Sequence, residues 1–448
     1  MMGCDAPPRE GLRLLALAAV LAGAQAGMVA LAPGLVERAA PAPTQVLAFI
    51  VLAVIGGAAW FAAIGPLERL PPRRAVIGAV LVFGAALRVG WFGTPLVLDT
   101  DALRYLWDGG LVAHGRWPWG APPSAGVPAE LGEGAAALHG ELPFAGLRSI
   151  YPGTAQLAFL LAHWIVPWEL LGLRLVMLGA EAVGVVLLAA LLRRAGLPVM
   201  RAAVWWCCPL LPVVLANAAH VDALLPPLLL SALLATLAGR GVAAGGLLGL
   251  ASGVKVWPLL LVPLLARWLP ARARFGAAIA FGVTAGVTLA PLLATATAPD
   301  AGLAAYSRAW LVNNAPLAWA QAVFGPGVGG VLRPLLGLAA GVVALAVARQ
   351  APGEPAALLR GALVVAVATF YLSPAQYPWY AVWFLPFAAA LGCRVLLLPA
   401  VLLPLYYAFF PLQALGVGAV FDLGIAAVHL TGVLLMLGLT RMHRPRRA

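Results

Sequence analysis

The sequence predicts an all-α, polytopic integral membrane protein, and three observations predict it. Of its 448 residues 63% are hydrophobic and only 10% are charged, whereas a soluble domain is nearer about half apolar. Mean hydropathy is +0.97. The apolar residues come in runs of about 17–25, long enough to cross the hydrocarbon as helices, and they lack the apolar/polar alternation of a barrel. The net charge of +12 would suggest nucleic acid in a soluble protein. Here the arginines fall in short connectors, as the positive-inside rule asks of cytoplasmic loops, so no nucleic-acid partner is expected.

One threading places nearly all basic connectors on the same side. Runs at 11–32, 45–65 and 75–92 cross first, leaving Arg69, Arg73 and Arg74 inside. The first run has Arg9 and Arg13 at its start, yet its length and the span that follows favour an uncleaved helix over a signal peptide. The apolar piece at 154–168 is expected to lie flat on the outer surface, because crossing would put Arg193 and Arg194 on the wrong side. Runs at 174–192, 202–217, 222–238, 241–254 and 257–268 follow, with Arg193, Arg194, Arg201, Arg240, Arg267, Arg272 and Arg274 inside. Runs at 275–295, 327–348, 361–373, 379–392, 395–411 and 419–440 complete the chain, with a basic tail inside. The total is about 12–14 transmembrane helices, the lower figure if one short pair is re-entrant. A single transmembrane domain, 1–448, thus carries a large outer loop with surface helices at 93–173 and a second outer loop at 296–326.

This threading gathers the acids on the outer face: Asp99, Asp101, Asp108, Glu130, Glu133, Glu141, Glu169, Asp222, Asp300 and Asp422. Cys4, Cys207, Cys208 and Cys393 have no metal-ligand spacing and suggest neither a disulfide framework nor a zinc site. Arg88 and Glu181 fall inside the membrane, on the order of 8–10 Å from the outer ends of their spans. An isolated charge at that depth is costly, so the two are expected to pair.

The densest chemistry is the stretch Asp99 to Gly109, with three carboxylates, one arginine and two aromatics. Two close carboxylates can hold a divalent metal, or one can serve as a base while the other orients. Arg104 and Tyr105 follow, and an arginine fork suits phosphate or carboxylate. Lys255, the only lysine, falls at the outer end of two short spans, where an ammonium suits a lipid phosphate. His220 and Asp222 sit at an outer junction and can hydrogen-bond a sugar or flank a base. Tyr306, Arg308, Trp310, Asn313 and Asn314 in the second loop, with Tyr377 to Tyr380, add aromatics and polar donors, although Trp379 also suits an interfacial belt.

Several blocks in order resemble the GT-C fold glycosyltransferases, especially bacterial polyprenyl-phosphate-mannose-dependent mannosyltransferases. These are Asp101-Ala-Leu-Arg-Tyr-Leu-Trp-Asp-Gly109, Gly115-Arg-Trp-Pro-Trp119, Leu147-Arg148 and Ile150-Tyr-Pro-Gly-Thr-Ala-Gln156. Further on come His220-Val-Asp222, Gly253-Val-Lys-Val-Trp-Pro258, Tyr306-Ser-Arg-Ala-Trp-Leu-Val-Asn313 and Ser373-Pro-Ala-Gln-Tyr-Pro-Trp-Tyr380. The resemblance implies an inverting transfer of a hexose, mannose first among candidates, from a polyprenyl phosphate to a lipid-linked or glycan hydroxyl. It implies a bacterial inner membrane and an extracytoplasmic active face, and the threading puts both termini in the cytoplasm. Asp101 is then the general base and Asp99 the second candidate. Lys255 and Arg308 face the donor phosphate, and His220, Asp222 and Tyr151 line the sugar or acceptor. Arg104, Tyr105, Asp108, Gln156, Asn313, Tyr377 and Tyr380 complete the substrate-binding set. No cofactor is required, although a divalent metal can assist. The chain departs from the family at Gly153, more often proline, at Gly110, more often arginine, and at Trp117-Pro-Trp119, more often Asn-Pro-Tyr. The alternative is a transporter or flippase of a lipid-linked sugar. Such carriers often show internal repeats and polar residues through their depth, neither of which is evident here. A non-catalytic homologue ranks third.

Overall fold

A computed structural model describes residues 8–36 and 41–442. Cys4 and the basic tail beyond Met442 lie outside the described residues. The chain is all-α: among the described residues the β pairing is confined to an isolated parallel bridge between Val312 and Ala375. Among the described residues eight helical stretches are long and apolar enough to cross a membrane: Glu10–Gly34, Pro43–Arg69, Leu170–Arg194, Ala271–Ala294, Pro326–Ala348, Pro355–Leu372, Arg394–Ala414 and Gly418–Gly438.

In chain order the helices begin with α1 (Pro8–Leu31), α2 (Pro43–Arg69) and α3 (Arg74–Val89). The first loop holds α4 (Asp101–Ala113), α5 (Gly132–His139) and α6 (Gly153–Ile165). Next come α7 (Leu170–Arg194), α8 (Arg201–Trp206), α9 (Leu225–Leu237), α10 (Gly241–Ser252), α11 (Val262–Trp268) and α12 (Ala271–Ala294). The second loop contains α13 (Gly302–Ala309) and α14 (Ala315–Phe324), followed by α15 (Gly329–Ala348) and α16 (Pro355–Leu372). Short helices α17 (Leu385–Leu391), α18 (Pro399–Leu402), α19 (Phe409–Ala414) and α20 (Gly418–Leu423) lead to α21 (Val428–Met442).

Several expected spans are broken rather than continuous. The run at 202–217 is α8 plus a π turn over Pro212–Asn217, and that at 379–392 is a 3₁₀ turn, Pro378–Trp383, plus α17. Prolines within these runs, among them Pro209, Pro212, Pro378 and Pro386, lack the N–H that a continuous helix needs. Such irregular backbone is tolerated at membrane depth where protein surrounds it, and residues 202–223 and 378–390 are all buried.

Two buried arginines set the frame for the first loop. Arg88 on α3 and Glu181 on α7 pair as expected: Arg88 Nε donates to Glu181 Oε2 at 2.7 Å, and Nη2 contacts Oε1. Arg88 also donates to the Gly84 carbonyl at 2.7 Å and lies 4.0 Å over the Trp206 ring. The role of Arg174 was not anticipated. It donates to the carbonyls of Phe92 at 2.6 Å, Thr94 at 2.8 Å and Asn217 at 3.1 Å. Asn217 in turn donates to Pro95 O at 2.7 Å and accepts from Val97 N at 3.0 Å. The backbone entering Asp99 is therefore fixed from both sides.

Glycines bring the remaining elements close. Gly241, Gly245 and Gly249, four residues apart, face α12, where a Cβ would strike Ala273, Ala277 and Thr284 respectively. Small residues at that spacing allow close helix approach in lipid. Gly253 continues the ridge against Thr154 and Thr288, and its carbonyl accepts from Ala155 N at 3.2 Å. Lys255, two residues on, is thereby delivered beside the start of α6. Gly109 similarly lets α4 meet the Phe159 backbone of α6. Gly110 accommodates the Trp168 ring, so any side chain there would collide with it.

Candidate active site

At the loop end of the bundle lies a cavity of about 400 Å³ whose lining includes Asp99, Asp101, Arg104, Tyr151, Lys255, Tyr377 and Tyr380. Asp99 sits just before α4, and both its oxygens are engaged. Oδ1 accepts from Asp101 N at 2.9 Å, helping to start the helix, and Oδ2 meets His220 Nε2 at 2.9 Å. His220 is fully buried, stacks on Trp379 with ring centroids 3.7 Å apart, and has Tyr105 Oη 3.4 Å from Nδ1. Burial pushes the His220 imidazole down to about 4. A neutral ring donating from Nε2 and accepting the Tyr105 hydroxyl at Nδ1 satisfies both contacts.

Asp101 is the first residue of α4 and faces the cavity. Its carboxylate has no hydrogen-bond partner among the described residues. Burial, then the Asp99 charge, pushes its pKa up to about 6, against the opposing pull of His220 and Lys255. Burial raises Asp99 to about 7, offset in part by the Asp101 amide. The two carboxyls thus titrate near neutrality but differ in role: one is tied into the scaffold and the other is open.

Lys255 is 3.5 Å from Asp222 Oδ2, with its ammonium 4.9 Å from the Tyr380 ring centroid and 5.9 Å from that of Tyr151. Asp222 is fully buried behind it and accepts from Trp383 Nε1 at 2.7 Å. Behind α4, Asp108 accepts from Arg104 Nε at 3.0 Å, from Gln156 Nε2 at 3.0 Å and from the Ser149 hydroxyl. Arg104 also donates to Leu147 O at 2.8 Å, and its buried Nη2 has no partner. Arg104 thus lines the cavity while its Nη2 stays buried beneath the wall.

The expected residues thus separate into three groups. Asp99, Asp101, Arg104, Tyr151, Lys255, Tyr377 and Tyr380 meet at the cavity. Tyr105, Asp108, Gln156, His220 and Asp222 stand behind it and fix its walls. Arg308 and Asn313 join neither group: Arg308 is exposed outside the lining, and buried Asn313 ties the second loop to Gln376 O at 3.1 Å. Trp379, also read as an interfacial residue, is 5% exposed and packs on His220.

Sequence reasoning missed the contribution of the last third of the chain. Tyr406, Phe409, Phe410, Phe421 and Asp422 all line the cavity. The cluster of aromatics from Tyr406 to Phe410 was a usable signal, but inside an apolar run it reads as lipid-facing. The clasp that joins the two loops was also missed: Arg148 Nε donates to Asp300 Oδ1 at 2.7 Å, and Arg148 N to Asp300 O at 2.9 Å. Among the described residues no group of three or more His, Cys, Asp or Glu converges on a metal position.

Fold and site together define a polytopic α-helical membrane protein with an acid–lysine cavity at one end of its bundle. The chain matches no protein-family model, no curated protein and no solved structure.

Proposed function

We propose that the protein is a membrane glycosyltransferase that moves a hexose, mannose first among candidates, from a polyprenyl-phosphate donor to a lipid-linked or glycan hydroxyl. The observation that carries this reading is the open Asp101 carboxylate, with a pKa of about 6, in the same cavity as the chain's only lysine. A general base works best with a pKa near the working pH, and a departing phosphate needs nearby cations.

In the proposed step the acceptor oxygen forms a bond to the sugar's anomeric carbon as the carbon–oxygen bond to phosphate breaks. The acceptor's proton passes to Asp101, and the electron pair of the broken bond leaves with the lipid phosphate. A single displacement inverts the anomeric centre. Lys255 would meet the phosphate, with the Arg104 guanidinium in the cavity wall adding positive charge. This assignment replaces Arg308, which lies outside the cavity lining. Asp99, held by His220, would orient the first turn of α4 and hence Asp101. The active face would be extracytoplasmic in a bacterial inner membrane, with both termini cytoplasmic.

The decisive experiment follows transfer of radiolabelled mannose from polyprenyl-phosphate-mannose to a membrane glycolipid extract, using purified wild type and Asp101→Asn of matched folding. Transfer by wild type that is lost in the variant supports the enzyme and its base together. Transfer that persists in the variant removes Asp101 from its role. If neither protein transfers mannose or any other hexose from its polyprenyl phosphate, the transferase reading falls.

A further inference from the structure

Asp422 is the one cavity-lining acid that the proposed step leaves unused. It comes from α20, an element that supplies none of the reactive groups, and it lines the same cavity as Asp101 and Lys255. Its carboxylate has no hydrogen-bond or ion-pair partner among the described residues and is only part-exposed.

An aromatic row connects it to the reactive groups. Trp379, stacked on His220, lies 6.2 Å by ring centroids from Tyr406, and Tyr406 lies 6.3 Å from Phe421, the residue before Asp422. Phe409 closes on Phe421 at 5.5 Å. Phe421 is fully buried and backs the wall, whereas Phe409 and Phe410 are part-exposed on it, so the far wall offers ring surface and one acceptor-only anion. An isoprenoid tail would suit the rings, but it has no donor for the carboxylate, and covering an unpaired charge with hydrocarbon is costly. A saccharide suits both: its C–H faces lie on rings while its hydroxyls donate to the carboxylate.

We propose that this wall is a saccharide subsite, in which Asp422 and the Tyr406/Phe409 rings hold a non-reacting sugar ring of the acceptor. The proposal rests on the glycosyltransferase reading of the cavity and adds that the acceptor is a glycan of at least two rings. A single hydroxyl-bearing lipid would not fill this wall. Asp422 binds and selects, and takes no part in bond making.

The test separates binding from transfer. The purified chain in lipid nanodiscs is titrated with mannobiose, chitobiose and maltose, following the emission of its tryptophans, two of which, Trp310 and Trp379, line the cavity. At least one disaccharide is expected to bind wild type. Binding is expected to weaken about tenfold or more in Asp422→Ala, the size of a lost hydrogen bond to a charged group, and to be partly restored in Asp422→Glu. Thermal melting reports the fold of each variant, and Asp422→Ala should melt close to wild type because the side chain has no partner to lose. Disaccharide binding without hexose transfer would retire the transferase reading and leave the subsite standing. Binding equal in wild type and Asp422→Ala, or no binding of any disaccharide, overturns the subsite whatever the transfer assay gives.

Discussion

Two carboxyls one residue apart carry different loads, and their titration separates them. As the proposed base, Asp101 would act only when ionised, so kcat/KM should rise with pH through about 6 and level off above it. Asp101→Asn should lose about 10²–10⁴-fold, the usual share of a general base. The Asp99 charge is the second largest cause of the raised Asp101 value. Stability should move the other way. The Asp99 carboxyl has a folded pKa of about 7 against 3.8 in a model peptide, so the protonated form favours folding. That stabilisation is complete below about pH 4 and is lost as pH rises through 7. Asp99→Asn, which removes the buried charge, should gain on the order of a few kcal/mol over wild type at pH 8 and little at pH 4. Thermal melts at the two pH values test this, and equal shifts at both would refute it. Both acids were legible in the sequence because charge is so scarce in this chain. Their division of labour was not, because it depends on His220, which lies 121 residues from Asp99.

At the scale of elements, the contact between α3 and α7 depends on the Arg88–Glu181 pair, whose side chains are 0% and 1% exposed. Breaking a buried pair by removing one partner leaves an uncompensated charge and costs about 3–5 kcal/mol, whereas replacing both can be nearly neutral. Glu181→Gln alone should therefore destabilise the protein at least as much as Arg88→Gln/Glu181→Gln. Additive losses in a double-mutant cycle would rule the pairing out. This pair was legible from depth alone, since neither charge could remain single there. The broken spans were less so. An apolar run reads the same whether it continues or pauses at a proline, and what decides between them is whether neighbouring elements cover the freed carbonyls. Arg174 illustrates this, because it serves carbonyls at Phe92, Thr94 and Asn217 that no local pattern assigns to it. The clasp between Arg148 and Asp300 is a quarter exposed on each side, so Asp300→Ala should cost about 0–1 kcal/mol of stability. Its larger effect should be on the cavity, because it joins the first loop to the segment that precedes α13. A measured KM that rises while the melting temperature holds would bear this out.

Across the whole molecule, charge is polarised along the bundle axis. The 25 residues of α7 extend about 37 Å, more than the hydrocarbon thickness of about 30 Å. Glu169 precedes its loop end, and Arg193 and Arg194 close the other. Along α12, Arg272 and Arg274 lie in the opening turns, and the chain reaches Asp300 beyond the far end. Both helices carry arginines at the ends away from the cavity, which is the pattern the sequence threading used; Arg174, near the loop end of α7, is spent on the carbonyls of Phe92, Thr94 and Asn217. It was legible because orientation depends on counting connectors rather than on contacts. The cavity's aromatic wall was not, because Tyr406, Phe421 and Asp422 meet the first loop only through the packed bundle. The charge pattern makes a prediction about orientation: the cavity end faces away from the cytoplasm. In a chain whose native cysteines are replaced by serine, Ser124→Cys and Thr297→Cys place thiols at exposed positions in the two loops beside the cavity. Ala195→Cys follows α7, and Gly353→Cys lies in the exposed connector between α15 and α16. A membrane-impermeant maleimide applied to intact spheroplasts should label the first two and spare the last two until the membrane is opened. Labelling of Ala195→Cys and Gly353→Cys in closed cells would invert the bundle and turn the cavity, with its acids and single lysine, toward the cytoplasm. A polyprenyl-phosphate donor presented on the outer leaflet could not reach it there.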